Sequence, residues 1–187
     1  ALLVSLGYRH SAGAWRHRDR QALFVGDFID RGPQQVETVN LVRRMVDAGA
    51  AQAVMGNHEF NAIAWFLPDP ECPGEYLRKH HSTKYGDKNR MQHQAFLSAV
   101  EGTPLHEELV RWFMTLPVCL DLPELRLVHA CWHGAALEHL RPHLTEDYCI
   151  KPETMTDATR EPDDEAEKDT PEMTVFKAME ALLKGIE

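Results

Sequence analysis

The sequence predicts an α/β fold, and three features of residues 22–55 predict it. The apolar runs 22–25 and 53–55 are short, rich in residues that favour β-structure and stopped by glycine, which is typical of buried strands. Between them four valines recur at helical spacing, and Gly49 is placed as the end of that helix: Val36, Val39, Val42 and Val46. A strand, a helix and a strand in this order form a βαβ unit with two parallel strands.

Each of these strands is followed by a short motif whose side chains carry chemistry. Residues 26–32 read Gly-Asp-Phe-Ile-Asp-Arg-Gly, and residues 56–59 read Gly-Asn-His-Glu. Asp27 and Asn57 offer oxygen ligands, and His58 offers a nitrogen ligand or a proton. Either motif alone has the composition of an ordinary turn. Two such motifs at the carboxyl ends of successive parallel strands instead favour a metal-binding or phosphate-binding edge, because ligands bind at that edge of open α/β sheets.

Length and composition are those of one globular domain spanning residues 1–187. We find no apolar run of about 18 residues and no export signal, so the sequence predicts no membrane span and a cytoplasmic protein. The net charge of −9 is concentrated between residues 157 and 172, which we interpret as a flexible acidic linker. Four widely spaced cysteines indicate neither a disulfide framework nor a zinc ribbon: Cys72, Cys119, Cys131 and Cys149.

Residues 68–117 are interpreted as a helical insertion or cap. An apolar helix over 60–67 ends at Pro68, a long irregular segment follows, and two helices between 91 and 116 are separated at Gly102. Residues 78–90 of this segment are basic, so they either guide an anionic substrate or form a solvated loop. The candidate substrate-binding residues in it are Arg78, Lys79 and Lys84.

The last third of the chain is predicted to contain a hairpin and a terminal helix. Residues 118–122 and 125–130 pair around a turn at Pro123, and the second strand ends at His129. Arg9 to Arg20 is read as a polar, turn-like stretch, and residues 172–186 as an amphipathic helix.

The two motifs together resemble the signature of the calcineurin-like metallophosphoesterases, in particular the serine/threonine phosphoprotein phosphatases and their bacterial relatives. The strand that ends at His129 is similar to a later strand of that family. The resemblance implies an α/β/β/α sandwich-like fold. In the family an Asp-x-His motif ends the first strand and a Gly-His motif ends a later one, and neither is found here. We therefore expect a fold that is incomplete without its first and last strands.

The resemblance also implies a mechanism and a set of metal ligands. It implies a phosphoester hydrolase whose attacking water is activated by two divalent ions. Asp27 would bridge both ions, and Asn57 and His129 would bind the second one. This mixed oxygen and nitrogen set suits manganese, with iron or zinc as alternatives.

The family pattern gives the remaining residues their expected roles. His58 would be the general acid that protonates the leaving group, oriented by Asp30, and Arg31 would bind phosphate oxygens. Glu59 either supports the ligands from behind or is an acid favoured by the dipole of a helix first turn. For Cys131 and His133, which follow His129 where the family has small residues, the role stays open, including a chelating pair of His129 with His133.

The substrate is expected to be a phosphorylated protein or nucleotide. Phosphoproteins come first, with dinucleoside polyphosphates or nucleic-acid phosphate ends as alternatives, although no sequence feature points specifically to nucleic acid. A reading of a different class is a non-catalytic relic that binds phosphate or a partner protein. The activity of this chain alone and its oligomeric state are left open.

Overall fold

The structure, a computed structural model, describes residues 2–161 and 170–186. The described residues contain six short strands: β1 Arg9–Ser11, β2 Ala14–Arg16, β3 Ala22–Phe24, β4 Ala51–Ala53, β5 Cys119–Asp121 and β6 Arg126–Val128. Their α-helices are α1 Leu2–Ser5, α2 Gln35–Asp47, α3 Asn57–Phe66, α4 Gly86–Gln92, α5 Gln94–Val100, α6 Pro104–Phe113, α7 Gly134–Leu140, α8 Met155–Thr159 and α9 Val175–Leu183.

The predicted βαβ unit is present. Strands β3 and β4 are parallel, with Ala22 opposite Ala51, and the N–H of Val54 extends their pairing to the carbonyl of Phe24 at 3.0 Å. Helix α2 connects them and packs against β4, and its residues Val39 and Val42 are buried in the core. Both motifs therefore begin where a parallel strand ends.

The described strands pair in twos. Strands β1 and β2 are antiparallel, β3 and β4 are parallel, and β5 and β6 form the predicted antiparallel hairpin. The N–H of Met55 bonds to the carbonyl of Pro117 at 2.8 Å and thereby joins the end of β4 to the segment before β5. The α/β class is confirmed, and the layered sandwich stays an expectation from the resemblance.

The interpretation of Arg9 to Arg20 as a polar turn was wrong. Residues 9–16 form the hairpin of β1 and β2, with Ser11 opposite Ala14. Its tip consists of Ala12 and Gly13, whose φ angles are +49° and +81°. Two consecutive positive φ angles are those of a type I′ hairpin turn, which matches the twist of the strands. The Ala-Gly pair was overlooked because that turn usually carries Asn-Gly or Asp-Gly.

The helices between residues 68 and 117 share the core of the remaining chain. Phe96 and Phe113 are fully buried in the same cluster as Val39 and Ile63. The break between α5 and α6 lies at the predicted position, and Pro104 is the first residue of α6. The boundaries of a 68–117 insertion stay a prediction, but these helices do not pack as a separate body.

The C-terminal part carries the predicted terminal helix. Helix α9 packs on α7 and α8, and the carbonyl of Leu182 accepts a hydrogen bond from the N–H of Ala130 at 3.0 Å. The predicted acidic linker is shorter at its start than expected, because Asp157–Thr159 belongs to α8. Its residues 162–169 lie outside the described part of the chain. Across residues 2–161 and 170–186, every helix is too short or too polar to cross a membrane.

Replacing Leu109 by alanine is expected to destabilise the whole domain by about 2–5 kcal/mol, because its fully buried side chain would leave a cavity. Leu125→Ala is the matched control: that leucine is 43% exposed, and the expected change is within about 0.5 kcal/mol. Urea unfolding followed by tryptophan fluorescence measures both. Equal effects, or a second transition belonging to residues 68–117 alone, would contradict the shared core.

Candidate functional site

The two motifs meet backbone against backbone. A Cβ atom on Gly26 would lie 2.3 Å from the nitrogen of Gly56, and one on Gly56 would lie 2.5 Å from both the nitrogen and Oδ1 of Asp27. These distances are shorter than any ordinary contact, so the approach requires glycine on both sides. The close approach brings the first motif to the start of α3, which carries the second.

The side chain of Glu59 links the two motifs at this junction, where the loop after β3 meets the start of α3. Its side chain is fully buried and accepts hydrogen bonds from three backbone N–H groups: Asp27 at 2.8 Å, Phe28 at 2.7 Å and Gly56 at 3.0 Å. Burial raises the pKa of this carboxyl group, and the three N–H bonds oppose that effect. Glu59 thus stands in the first turn of α3 and bonds to the backbone of both motifs, and its support of metal ligands stays a prediction.

Asp27, Asn57 and His129 converge in front of this junction. Nε2 of His129 lies 3.1 Å from Oδ1 of Asn57 and 3.4 Å from Oδ1 of Asp27. The backbone N–H of His58 donates to Oδ1 of Asp27 at 3.3 Å, which holds the carboxylate toward α3.

These three side chains fit a metal ion. Ligand atoms that share one ion at about 2.0–2.2 Å lie roughly 3.0–3.5 Å apart, and Nε2 of His129 lies at such distances from both oxygens. Nδ1 of His129 donates to the carbonyl of Val25, which leaves the lone pair of Nε2 facing the two oxygens. A backbone carbonyl behind the ring is the usual way to fix the tautomer of a metal-binding histidine.

A second group is centred on the carboxylate of Asp30. Its Oδ2 accepts from Nδ1 of His58 at 2.7 Å and from Nδ1 of His93 at 2.6 Å. The bond to Asp30 is the main reason why the pKa of His58 lies above its ordinary value. Burial raises the pKa of Asp30, but the bonds from the two histidines outweigh it, so this pKa lies below its ordinary value.

The three side chains of the Asp30 group are also of types that bind metal ions. The candidate ligand atoms of Asp30, His58 and His93 all lie within 4.8 Å of one another. The N···O distances of 2.6 and 2.7 Å are those of charge-assisted hydrogen bonds and are shorter than the separation of two ligands on one ion. We therefore describe this group as hydrogen-bonded.

Sequence reasoning missed His93. It stands between α4 and α5, is almost fully buried, and lies 63 residues after Asp30 in the chain. Its neighbours Gln92 and Gln94 form no motif with it, so no local signal marks it. The packing of α5 on α2, α4 and α6 brings it to Asp30.

Backbone strain accompanies both aspartates. Asp27 has a φ of +58° and Asp30 a φ of +71°, in the left-handed region that a side chain disfavours. Gln35, the first residue of α2, braces the second of these turns: its Oε1 accepts from the N–H of Asp30 at 2.6 Å, and its Nε2 donates to the carbonyl of Gly32. Such strain persists only where surrounding bonds impose it, and it is typical of functional sites.

The predicted phosphate-binding residues differ in placement. Arg31 is exposed beside the site and makes no hydrogen bond or ion pair with any described residue. Arg78 instead donates to Oδ1 of Asn61 at 2.7 Å and to Gln92, so both its partners are neutral. Lys79 and Lys84 are exposed and make no side-chain contact with the other predicted site residues within the described ranges.

His133 has a structural position. Its Nδ1 accepts a hydrogen bond from the N–H of Ala136 at 3.1 Å and thereby caps the start of α7. Because Nδ1 of His133 is engaged in this cap, the structure gives no support to a chelating pair of His129 with His133. Cys131 is a partly buried free thiol.

The chain is similar to known proteins over most of its length. A model of the family described as calcineurin-like phosphoesterase matches residues 11–155. The chain is 30% identical over 140 residues to an asymmetrical bis(5'-nucleosyl)-tetraphosphatase PrpE of Oceanobacillus iheyensis, which covers 74% of this chain and 51% of that protein. It is 33% identical over 107 residues to a symmetrical bis(5'-nucleosyl)-tetraphosphatase of Vibrio cholerae, covering 57% of this chain and 32% of that protein.

Over 58 residues the chain is 45% identical to a PrpE of Halalkalibacterium halodurans, which is 30% of this chain and 24% of that protein. The chain thus spans at most about half the length of these curated relatives. No solved structure matches it.

Replacing Gly56 by alanine is expected to destabilise the fold by about 1–3 kcal/mol, because the new methyl group would collide with backbone and side-chain atoms of Asp27. The φ of −98° suits alanine, so contact and not backbone strain carries the effect. Gly134→Ala is the matched control: a Cβ there meets nothing within 4 Å, and stability should stay equal or rise slightly. Urea unfolding compares the two variants, and a neutral Gly56→Ala would contradict the backbone contact.

Proposed function

The chain belongs to the calcineurin-like phosphoesterase family, and from that premise we propose that it is a metal-dependent hydrolase of phosphate esters or anhydrides. The observation that supports this most is that Nε2 of His129 lies within 3.4 Å of a side-chain oxygen of both Asn57 and Asp27, with His58 next to Asn57 in the chain. The proposed ligands and the proposed proton donor therefore lie close together, where β3, β4 and β6 end.

The proposed metal ligands come from three segments of the chain. Asp27, Asn57 and His129 would hold a divalent ion, and the family resemblance adds a second ion that shares Asp27. Manganese is the proposed metal, because two oxygens and one imidazole nitrogen suit a hard or borderline ion better than a soft one. Bound divalent ions supply Lewis-acid activation of water and neutralise phosphoryl oxygens.

His58 is the proposed general acid. Its Nδ1–H is held by Asp30, so Nε2 is the nitrogen that can carry a proton to the leaving group, and this atom lies 3.9 Å from Oδ2 of Asp27. The raised pKa of His58 keeps the imidazolium form at higher pH than for a free histidine. Proton donation is therefore present at low pH and is lost as the pH rises through that raised pKa.

Arg31 is the proposed phosphate ligand. It is exposed at the site with no carboxylate partner among the described residues, and its planar guanidinium group can bind two phosphoryl oxygens at once. Arg78 donates a hydrogen bond to Asn61 of α3, one helical turn after Asn57, and we propose that it contributes positive potential there. Lys79 and Lys84 stay predicted substrate contacts without structural support.

We propose dinucleoside polyphosphates as the substrate class. The named relatives are tetraphosphatases of this kind, which favours the nucleotide alternative over the phosphoprotein that the sequence placed first. A serine/threonine phosphatase activity, a nucleic-acid phosphatase and a binding relic are outcomes that the experiment distinguishes. A cytoplasmic location stays a prediction from the sequence.

The test is hydrolysis of diadenosine tetraphosphate by this chain with manganese, with products separated by chromatography. Two ADP would show symmetrical cleavage, and ATP with AMP asymmetrical cleavage. Asp27→Asn should abolish turnover, because a neutral amide is a weaker metal ligand than a carboxylate. Asp19→Asn is the matched control on an exposed aspartate and should leave turnover unchanged.

Two results would contradict the proposal. Release of phosphate from a phosphoserine peptide with no cleavage of the dinucleotide would replace the substrate class. If neither compound is cleaved in the presence of manganese, the alternative of a non-catalytic protein that binds phosphate or a partner protein is favoured instead.

A further inference from the structure

Two histidines from distant parts of the chain share one carboxylate oxygen. Oδ2 of Asp30 accepts from His58 in the first turn of α3 and from His93 at the junction of α4 and α5. The side chains of Asp30 and His93 are both 1% exposed, whereas His58 is 12% exposed. The shared oxygen is thus at the closed end of the group, and His58 is the member that faces outward.

The second donor restricts the carboxylate in a way that one donor does not. Asp30 stands in a turn with positive φ, and its backbone is braced by Gln35 only from the side of α2. With His58 as its only partner, the carboxylate could follow that ring as the loop moves. The bond from His93 ties it instead to a third segment, so that the position of Asp30 is fixed independently of His58.

Packing alone does not account for a histidine at position 93. Its Nε2 is buried and has no hydrogen-bond partner among the described residues, and Oδ1 of Asp30 is in the same condition. A buried polar atom without a partner costs free energy that an apolar side chain of similar size avoids. The residue is therefore costly as a core residue, and the feature that distinguishes it is the Nδ1–H aimed at Asp30.

We infer that His93 is a positioning residue for the proposed general acid: it holds Asp30 in place, and Asp30 in turn fixes the tautomer and direction of the His58 ring. This inference rests on the proposed function. His93 is too deeply buried to touch substrate, so it acts only through Asp30. Misplacement of a catalytic group by about 1 Å can cost on the order of 10²-fold in rate.

The kinetic test uses three variants of the manganese-loaded chain. His93→Leu removes the donor, and His93→Asn retains an amide N–H close to where Nδ1 lies. His106→Leu is the matched control, since His106 is also buried, packs against Phe66 and Phe96, and makes no bond to Asp30. Substrates are aryl phosphates whose leaving phenols differ in acidity, because a general acid matters most for the least acidic phenol.

The expected pattern separates positioning from general damage to the fold. For the least acidic phenol, His93→Leu should lower kcat by about 10-fold to 10²-fold with KM within about twofold, and the loss should shrink as the phenol becomes more acidic. His93→Asn should recover most of the rate, and His106→Leu should leave kcat unchanged. In the Asp30→Asn background, His93→Leu should cause no further loss, because the two residues act through one bond. A loss independent of the leaving group, or an additive loss with Asp30→Asn, would overturn the inference.

A spectroscopic test decides the same point without turnover. Imidazole nitrogen NMR of the wild-type chain should show a proton on Nδ1 of both His58 and His93, and His93→Leu should change the His58 signals while His106→Leu does not. An unprotonated Nδ1 on His93, or unchanged His58 signals in His93→Leu, would overturn the inference. If the wild-type chain hydrolyses none of the substrates, the proposed function fails, and the NMR result still decides the link between His93 and His58.

Discussion

The candidate site depends on the buried carboxylate of Glu59. By accepting from the N–H groups of Asp27, Phe28 and Gly56, it ties the loop after β3 to the start of α3. The glycines on both sides let these backbones approach closely enough for one carboxylate to reach all three donors. These bonds help to hold Asp27 in its left-handed conformation and at a fixed separation from Asn57.

The two aspartates of the loop after β3 have different partners. Asp27 points toward Asn57 and His129, where the atoms have the spacing of metal ligands. Asp30 points into the protein, where it accepts from two histidines and raises the pKa of His58. One short loop therefore carries both carboxylates, one beside the proposed metal ligands and one beside the proposed proton donor.

The part that sequence could predict is local, and the part it missed depends on packing. The βαβ unit, the strand-end positions of Asp27 and Asn57 and the hairpin before His129 follow from periodicity and turn residues, which short stretches determine. His93 could not be found in this way, because its place beside Asp30 is set by the packing of α5 on α2, α4 and α6. The partners of Arg78 come from α3 and α4 for the same reason. The hairpin of residues 9–16 was missed although its signal is local, since Ala-Gly is an uncommon turn pair.

Anomalous diffraction from crystals soaked in manganese is the sharpest test of the proposed ligand set, because it locates the ion without any assumption about substrate or rate. We expect a peak within about 2.0–2.4 Å of a carboxylate oxygen of Asp27, Oδ1 of Asn57 and Nε2 of His129. We also expect the hydrogen bonds among Asp30, His58 and His93 to persist in the same crystals. A peak between the two histidines and Asp30, with none at Asp27, would contradict both the ligand set and the role of His58 as the proton donor.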